Sequence, residues 1–471
     1  MSLIVAKKIF PYQGNALSVF KAFAHEPHAF LLESSMRHPT LGRYSFIGFD
    51  PFRVIRARPG DDLKPLKKAF DRYAVLAREC PYPLPGGMVG FLSYDLNMMG
   101  PGGKCLDRKF DERIPAFVFG CYDCVIMIDH QLQRLSVLST GLPQMSSNMR
   151  VHRAKARLDR IVNRLNGVRA EANEERIHLP AALPENGSMR LTSNFSKWEY
   201  RRAVQRALEY IRRGDIYQVN LSQRFSLTGR DDDPVKIYET LRSVFPSCFS
   251  GYFDAGDFQI ISSSPERFMR VHNGTVETRP MKGTRPRGRN PAEDRCQQRE
   301  LLKSVKDQAE LLMITDLERN DLGRVCRYGS VRVKEMRTLE QYATVFQTTS
   351  TVTGKMERGK DAWDLLAATF PGGSITGCPK IRSMQIIDEL EPTPRSVYTG
   401  ILGYIGFQGN VDFNILIRTF LKYGKEIHFQ VGGGIVADSD PEAEYNETLV
   451  KARALKECLR LLNSNAVATT A

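Results

Sequence analysis

An α+β architecture is what this 471-residue sequence predicts, and two observations carry it. Strand-like and helix-like segments follow one another irregularly, without the strict βαβ alternation that builds a doubly wound parallel sheet. The second half then gathers strand segments at about 400–407, 411–421 and 427–431 and closes them with one long helix. From the N-terminus, Phe30–Ser34 and Arg43–Gly48 read as two strands around a polar connection. Cys121 and Cys124 lie in the apolar run 117–127, which reads as a buried strand. With no second pair and no well-spaced histidine, this lone CxxC argues against zinc or redox chemistry. Residues 147–165 carry helical periodicity with many arginines, and the polar stretch 168–190, with two prolines, is the linker. Ser196 and Glu199 form a capping box that opens a helix to about Arg213, which Gly214 ends. Residues 216–222 read as a strand and 292–318 as one long helix. Gly372–Lys380 is a glycine-rich loop, with Pro379 in the first turn of the helix it opens. The last helix starts after Gly432–Gly434, with Ser439 and Glu442 as a second capping box.

With 42% hydrophobic and 25% charged residues, the chain is long enough for two or three average domains, or one large domain with an appended lobe. No run approaches the length of a membrane-spanning helix. The opening, Met1–Lys8, lacks the apolar length and cleavage site of a signal peptide. Nine scattered cysteines, an odd number, fit reduced thiols. These features predict a cytoplasmic protein with no membrane partner. The net charge of +14 is spread along the chain and interleaved with acidic residues, so it reads as solvated surface and predicts no nucleic-acid partner.

Lys282, in the run TRPMKGT at 278–284, is the most suggestive single residue. Pro280 stiffens the entry, Gly283 lets the backbone approach a ligand, and Thr284 adds a hydroxyl. A lysine nucleophile must be neutral, and bringing its pKa from about 10.4 to near 7 takes roughly 4 kcal/mol. Burial or a neighbouring cation must supply that, and Arg279 and Arg285 flank it. Alone, the run reads as an ordinary lysine in a basic turn. Other groups change the balance. Glu444, Glu447 and Lys451 stand at i, i+3 and i+7, one narrow stripe of a helix. Two carboxylates with a cation one turn on can hold Mg2+ together with a ligand carboxylate, although an exposed helix with a Glu–Lys pair has the same spacing. Glu310 sits among apolar neighbours, either solvated at a helix edge or facing a site. Glu266 follows Ser264–Pro265 just past a predicted strand end, where catalytic groups often lie, and 316–321 (DLERND) is a further acidic run. The 372–380 loop exposes N–H groups before a helix, a natural anion site, and Gly432–Gly434 reads as a second glycine loop in which Gly432 and Gly434 allow close approach. Neither segment fits GxxxxGK[ST] or GxGxxG, which rejects nucleotide binding. Arg418 ends an apolar strand, where burial would need an anionic partner.

Taken in order, QVNL at 218–221, SPERF at 264–268, RPMKGT at 279–284, the 316–321 run, PGGSITG at 371–377, IRT at 417–419, GGGIV at 432–436 and Glu447-Thr448 resemble the chorismate-utilising enzymes. That family includes anthranilate, aminodeoxychorismate, isochorismate and salicylate synthases. The motifs cover about 195–460, and 31–34 with 42–48 resemble the family's N-terminal lobe. The resemblance implies two packed, mostly antiparallel sheets flanked by helices, with a lobe at 1–167, the linker, and a chorismate-binding region at 191–463. Members that use water carry a lysine where this chain has Gln218, and anthranilate synthases usually have alanine where it has Lys282. The first difference argues against isochorismate or salicylate synthesis, and the second points to the branch that forms 4-amino-4-deoxychorismate. The implied roles are Lys282 as nucleophile and Glu266 as proton donor, with Mg2+ held by Glu310, Glu444 and Glu447. Arg418 and Lys451, with N–H groups around Gly432 and Gly434, would hold the substrate carboxylates, and Gly283, Thr284, Thr376 and Tyr398 would line the pocket. Gln347 replaces a common histidine, and Cys378 a common alanine. Ser34, Arg43, Tyr44, Cys248, Phe249 and Ser250 resemble a tryptophan pocket. Residues 103–106 suggest a nucleophile elbow only faintly, so ammonia is expected from a separate glutamine amidotransferase subunit or from solution.

Overall fold

The computed structural model describes residues 3–36, 38, 41–58, 61–74, 80–96, 109–168, 191–342 and 345–468. The linker at 169–190 and the 103–106 run lie outside them. The predicted α+β class is what the chain adopts: two large sheets, antiparallel at every described pairing, with helices on their outer faces. The first sheet runs in the order 6–11, 134–139, 124–129, 44–48, 30–33, 249–254, 258–264, 419–423, 426–435, 218–227 and 377–378, with 192–193 beside 218–227. The second runs 281–286, 345–355, 275–278, 267–272, 411–415, 401–406, 87–92, 117–122 and 53–57, with 332–341 beside 345–355. Each sheet is thus shared by the two sides of the linker, which join at one seam in each: 30–33 beside 249–254 in the first and 87–92 beside 401–406 in the second. Between the sheets, Phe30, Phe46, Phe253 and Phe258 of the first pack on Val89, Phe91, Val118 and Leu402 of the second. The outer face of the first sheet is covered by the helices Ala16–Lys21, Ser147–Leu165, Pro234–Val244 and Pro441–Ala468. The outer face of the second carries Lys64–Ala74, Ala362–Thr369 and the end of Val305–Gly323.

Several boundaries differ from the sequence expectation. The helix expected at 292–318 is two, Pro291–Lys303 and Val305–Gly323, because Ser304 is extended and its hydroxyl accepts from the Asp307 N–H at 3.2 Å, capping the second. The strand expected at 411–421 is also two, Val411–Ile415 in the second sheet and Thr419–Tyr423 in the first, with Arg418 at the crossing. Gly432–Gly434 is not a loop: it continues the strand Glu426–Ile435, paired with Ser222, Leu221 and Asn220. The last helix is capped by Asp440, whose Oδ1 accepts from the Glu442 and Ala443 N–H groups, and not by Ser439. The Ser196–Glu199 capping box forms as expected.

Much of the basic charge in the helix Ser147–Leu165 is structural. Arg150 donates to Thr140 O and Leu3 O, and Arg153 and Arg157 both reach the buried Asp123. Cys121 and Cys124 flank the step from one sheet to the other, and burial pushes both thiols up to about 12, so neither is a reactive thiolate. No helix among the described residues is long and apolar enough to cross a membrane.

A buried ion pair fixes the floor beneath the glycine-rich loop. Arg395 and Glu391 have side chains only 2% and 3% exposed. Glu391 also accepts from the Ser222 N–H and hydroxyl, while Arg395 donates to Ile375 O and Asn220 O. Glu391→Ala strands a buried guanidinium, so it is expected to cost about 3–5 kcal/mol. Urea unfolding checks this, and an unchanged midpoint would show the pair to be dispensable.

Candidate active site

Lys282 lies on the strand Met281–Pro286, where the register against Val345–Lys355 shifts between Lys282 and Thr284. Gly283 is the extra residue of this bulge, with φ +75°, a conformation strained for any side chain. A Cβ there would also approach Leu301 Cδ1 to 2.8 Å and Asp307 Cβ to 3.1 Å. Thr348 donates its hydroxyl to Lys282 O at 2.6 Å and anchors the bulge. The Lys282 side chain leaves the bulge half-buried, and loss of water pulls its pKa below the ordinary lysine range. Glu310 opposes that most, Lys451 adds to it, and Glu266 and Glu447 oppose it more weakly. The expected help from flanking arginines is absent, because Arg279 is paired with Glu340 and Arg285 with Asp307.

Glu266 stands between the strand Phe258–Ser264 of the first sheet and Arg267–His272 of the second. It is 5% exposed, and burial pushes its carboxyl up to about 7. Ser374, Lys282 and the Met281 N–H pull the other way. The Ser374 hydroxyl is near enough to act on the carboxyl without completing a hydrogen bond, and Glu266 Oε1 has no partner among the described residues. An amine whose pKa is lowered by loss of water thus lies within electrostatic reach of an acid that titrates near neutrality.

The helix Pro441–Ala468 presents the carboxylates. Glu444 is buried and accepts the Ser439 hydroxyl at 2.6 Å, while Ser439 Oγ itself accepts from the Val436 N–H. Glu447 is exposed and pairs with Lys451 at 2.7 Å. A Cβ on Gly433 would lie 3.3 Å from both Glu444 Oε2 and Glu447 Oε1, so the two carboxylates converge over that glycine. Burial raises the Glu444 pKa, with the Glu447 charge adding to it, whereas Lys451 holds Glu447 low. Glu310 is half-buried and raised by burial, and it acts on Lys282 while sensing Glu447. These three carboxylates therefore face one space with Lys282 and Lys451, although among the described residues no three acidic, histidine or cysteine groups already close into a metal cage.

Arg418 has φ +53°, lies over the Phe245 ring at 4.9 Å and donates to Lys451 O. Burial lowers its pKa to about 10, with Tyr398 opposing, and no carboxylate among the described residues pairs with it. Tyr398 is half-buried, its phenol pushed up to about 12 by loss of water. Thr376 is buried and donates to Gly372 O, and Thr284 is exposed and accepts from Gln347 Nε2 at 3.3 Å. A Cβ on Gly434 would come within 2.4 Å of Gln218 Nε2, and among the described residues the buried Gln218 amide has no hydrogen-bond partner at either end.

The groups expected to form a tryptophan pocket are engaged with neighbouring residues. Arg43 makes a forked pair with Asp129 and lies over the Tyr44 ring at 4.8 Å. Ser34 donates to Met36 O, and Cys248 packs with Met36, Leu41, Met281 and Tyr342. Phe249 stacks under Arg267, and Ser250 shares hydrogen bonds with Ser35 and Ser263. Sequence reasoning missed Ser439 as the group that orients Glu444, for which its position just before the helix was a signal. It also gave no role to the buried Glu318 of the DLERND run.

Residues 27–457 match the chorismate binding enzyme model, and the chain belongs to that family. It is 37% identical over 475 residues to aminodeoxychorismate synthase component 1 of Bacillus subtilis (strain 168), covering 97% of each. It is 38% identical over 446 residues to anthranilate synthase component 1 of Thermus thermophilus, covering 92% of this chain and 93% of that one. The crystal structure of anthranilate synthase component I from Streptococcus pneumoniae TIGR4 is similar with a TM-score of 0.74 and 30% identity, over 89% of this chain and 92% of that one.

Glu266 also sets a pH dependence of stability. Its folded pKa, about 7, lies above the usual carboxylate value, so the folded state holds its proton more tightly than the unfolded state. Stability is therefore lost as pH rises between about 4.5 and 7, by on the order of 3 kcal/mol. Glu266→Gln removes that loss, and is expected to raise Tm relative to the native protein at pH 8 but little at pH 5. Equal Tm differences at the two pH values would contradict the assignment.

Proposed function

We propose that this chain converts chorismate and ammonia to 4-amino-4-deoxychorismate, on the route to p-aminobenzoate and folate, in the cytoplasm. The observation that carries the proposal is Lys282, a desolvated amine facing Glu266. In this reading Lys282 attacks C2 of the ring as the C4 hydroxyl departs, with the Glu266 proton, as water. Ammonia then adds at C4 and Lys282 leaves from C2, so two displacements direct nitrogen to C4. Gln347 carries no transferable proton, which leaves the acid role to Glu266.

Glu444 and Glu447 over Gly433, with Glu310 within electrostatic reach, suit Mg2+, which takes one or two carboxylates plus waters and ligand oxygens. Bound there, Mg2+ would draw electron density toward the ring carboxylate of the substrate. Arg418, with a guanidinium that lacks an acidic partner among the described residues, and Lys451 would bind carboxylates, and Thr284, Thr376 and Tyr398 would line the pocket. A glutamine amidotransferase subunit would supply ammonia, as the component-1 naming of the relatives suggests. The bonds of Arg43 to Asp129 and of Ser250 to Ser263 favour a structural role for the tryptophan-pocket groups.

Anthranilate formation is the second reading, favoured by the similar identity to an anthranilate synthase. Incubating the protein with chorismate, Mg2+ and an ammonium salt separates the two by mass spectrometry. The expected product is 4-amino-4-deoxychorismate, and direct release of fluorescent anthranilate without an added lyase would refute the first reading. Lys282→Ala is expected to abolish formation of the 4-amino product, and unchanged kinetics would reduce Lys282 to an electrostatic role. Glu266→Gln is expected to lower kcat by about 10²–10⁴-fold. Glu447→Gln is expected to raise the Mg2+ concentration giving half-maximal rate, read from a metal titration, whereas an unshifted midpoint would remove Glu447 from the metal set.

A further inference from the structure

Glu318 is a buried carboxyl for which the chemistry above has no use. It lies on the helix Val305–Gly323, about two turns beyond Glu310, and is 8% exposed. Its Oε2 is 2.5 Å from Thr278 Oγ1, and the same hydroxyl is 2.8 Å from Phe268 O. A hydroxyl has one proton, and a carbonyl can only accept. If Thr278 donates to Phe268 O, the contact with Glu318 needs a proton carried by Glu318 itself. A protonated Glu318 that donates to Thr278 satisfies both distances at once, whereas a carboxylate leaves one of the two acceptors without a proton. Burial agrees, pushing Glu318 up to about 8, and the charged groups acting on it are Glu266 from the neighbouring strand connection, Asp321 from its own helix and Lys380 from the helix Lys380–Leu390.

Glu318 also lines a small pocket, with room for about one water molecule, together with Phe268, Thr278, Asp321, Thr369 and Gly373. This space borders the segments that carry Glu266 and Ser374, and Glu266 acts electrostatically on Glu318. Phe268 is two residues beyond Glu266, and Gly373 precedes Ser374, whose hydroxyl acts on the Glu266 carboxyl. At the other wall Asp321 pairs with Lys380 and with Arg324, whose side chain is 46% exposed, so that wall reaches the surface.

We propose that Glu318 is a positioning residue that returns a proton to Glu266 through water in this cavity after each turnover. The inference rests on the proposed function, in which Glu266 gives its proton to the departing hydroxyl and is left as a carboxylate. The O–H bond of Glu318 then breaks, its proton passes through cavity water, and an O–H bond forms on Glu266. Glu318 regains a proton from solvent at the Asp321–Arg324 wall, and no other bond changes.

The test compares native protein with Glu318→Gln for chorismate consumption in ammonium buffer between pH 6 and 9, in H2O and D2O. Glutamine keeps the shape and can still bond Thr278, but it has no transferable proton. The expected result is an unchanged KM for chorismate, a kcat lowered roughly tenfold to a hundredfold, and a larger solvent isotope effect on kcat as reprotonation becomes limiting. Native kcat and isotope effect in the variant would overturn the relay, and so would parallel losses in kcat, KM and Tm, which assign Glu318 to packing. Glu318→Asp, which keeps an acid one methylene shorter, covers poor folding of the first variant. It should retain more kcat than Glu318→Gln at the same KM, and equal kcat in the two would also overturn the relay. Chorismate turnover by the native protein with indifference to Glu318 sinks the relay alone, whereas no turnover by the native protein sinks the proposed function with it.

Discussion

The withdrawal of Lys282 and Glu266 from water is the constraint on which the site depends. Burial disfavours whichever form is charged, so a single cause moves the amine down and the acid up. The two shifts move the amine and the acid toward each other, each in the direction of its uncharged form. Facing carboxylates work against this for the amine, since Glu310, Glu266 and Glu447 all favour its charged form. Lys451 offsets part of that, and it does so while neutralising Glu447 and bonding Gly432 O. A cation seated between Glu444 and Glu447 would push in the same direction as Lys451.

The fold supplies this environment at places where the chain changes sheets. Glu266 stands between a strand of the first sheet and one of the second, and Arg418 at the reverse crossing. At such a crossing the backbone leaves one hydrogen-bond ladder before entering the next, so a side chain can be aimed without disturbing either. Arg418 shows the cost, holding φ +53° as a non-glycine residue. Lys282 reaches the same space by a different device, the bulge at Gly283, which breaks the alternation of the second sheet by one residue. The helix Pro441–Ala468, packed on the first sheet, brings the carboxylates in from the side, and Gly433 leaves room for them.

The class of fold was legible because element order and turn chemistry are local signals, and the Ser196–Glu199 box formed where its spacing placed it. The missed boundaries have local causes that period alone does not expose. The 292–318 helix kept its helical composition across Ser304, and only the capping geometry of that serine divides it. The 411–421 strand kept its apolar character across a change of sheet, because both strands are buried and the sequence pattern does not register which neighbour covers them. Gly432–Gly434 looked like a loop because glycine is a poor strand former, yet its places in the ladder are occupied and its bare faces admit Gln218 on one residue and two carboxylates on the next.

The charge of the site was the least legible part, for a physical reason. Sequence neighbours suggested that Arg279 and Arg285 would act on Lys282, but each is consumed by a partner distant in sequence, Glu340 and Asp307. The cation that does act, Lys451, lies far along the chain on the last helix, and the acid that faces the amine is on another strand connection. Electrostatic effects fall with distance in space and with exposure to water, neither of which the order of residues records. Spacing could place Glu444, Glu447 and Lys451 on one stripe because a helix converts sequence into distance. It could not show that Glu444 is buried and raised while Glu447, one turn away, is exposed and held low. That asymmetry arises from burial at Glu444 and from Lys451 beside Glu447, and it shifts the acidity of two chemically identical side chains in opposite directions within one cluster.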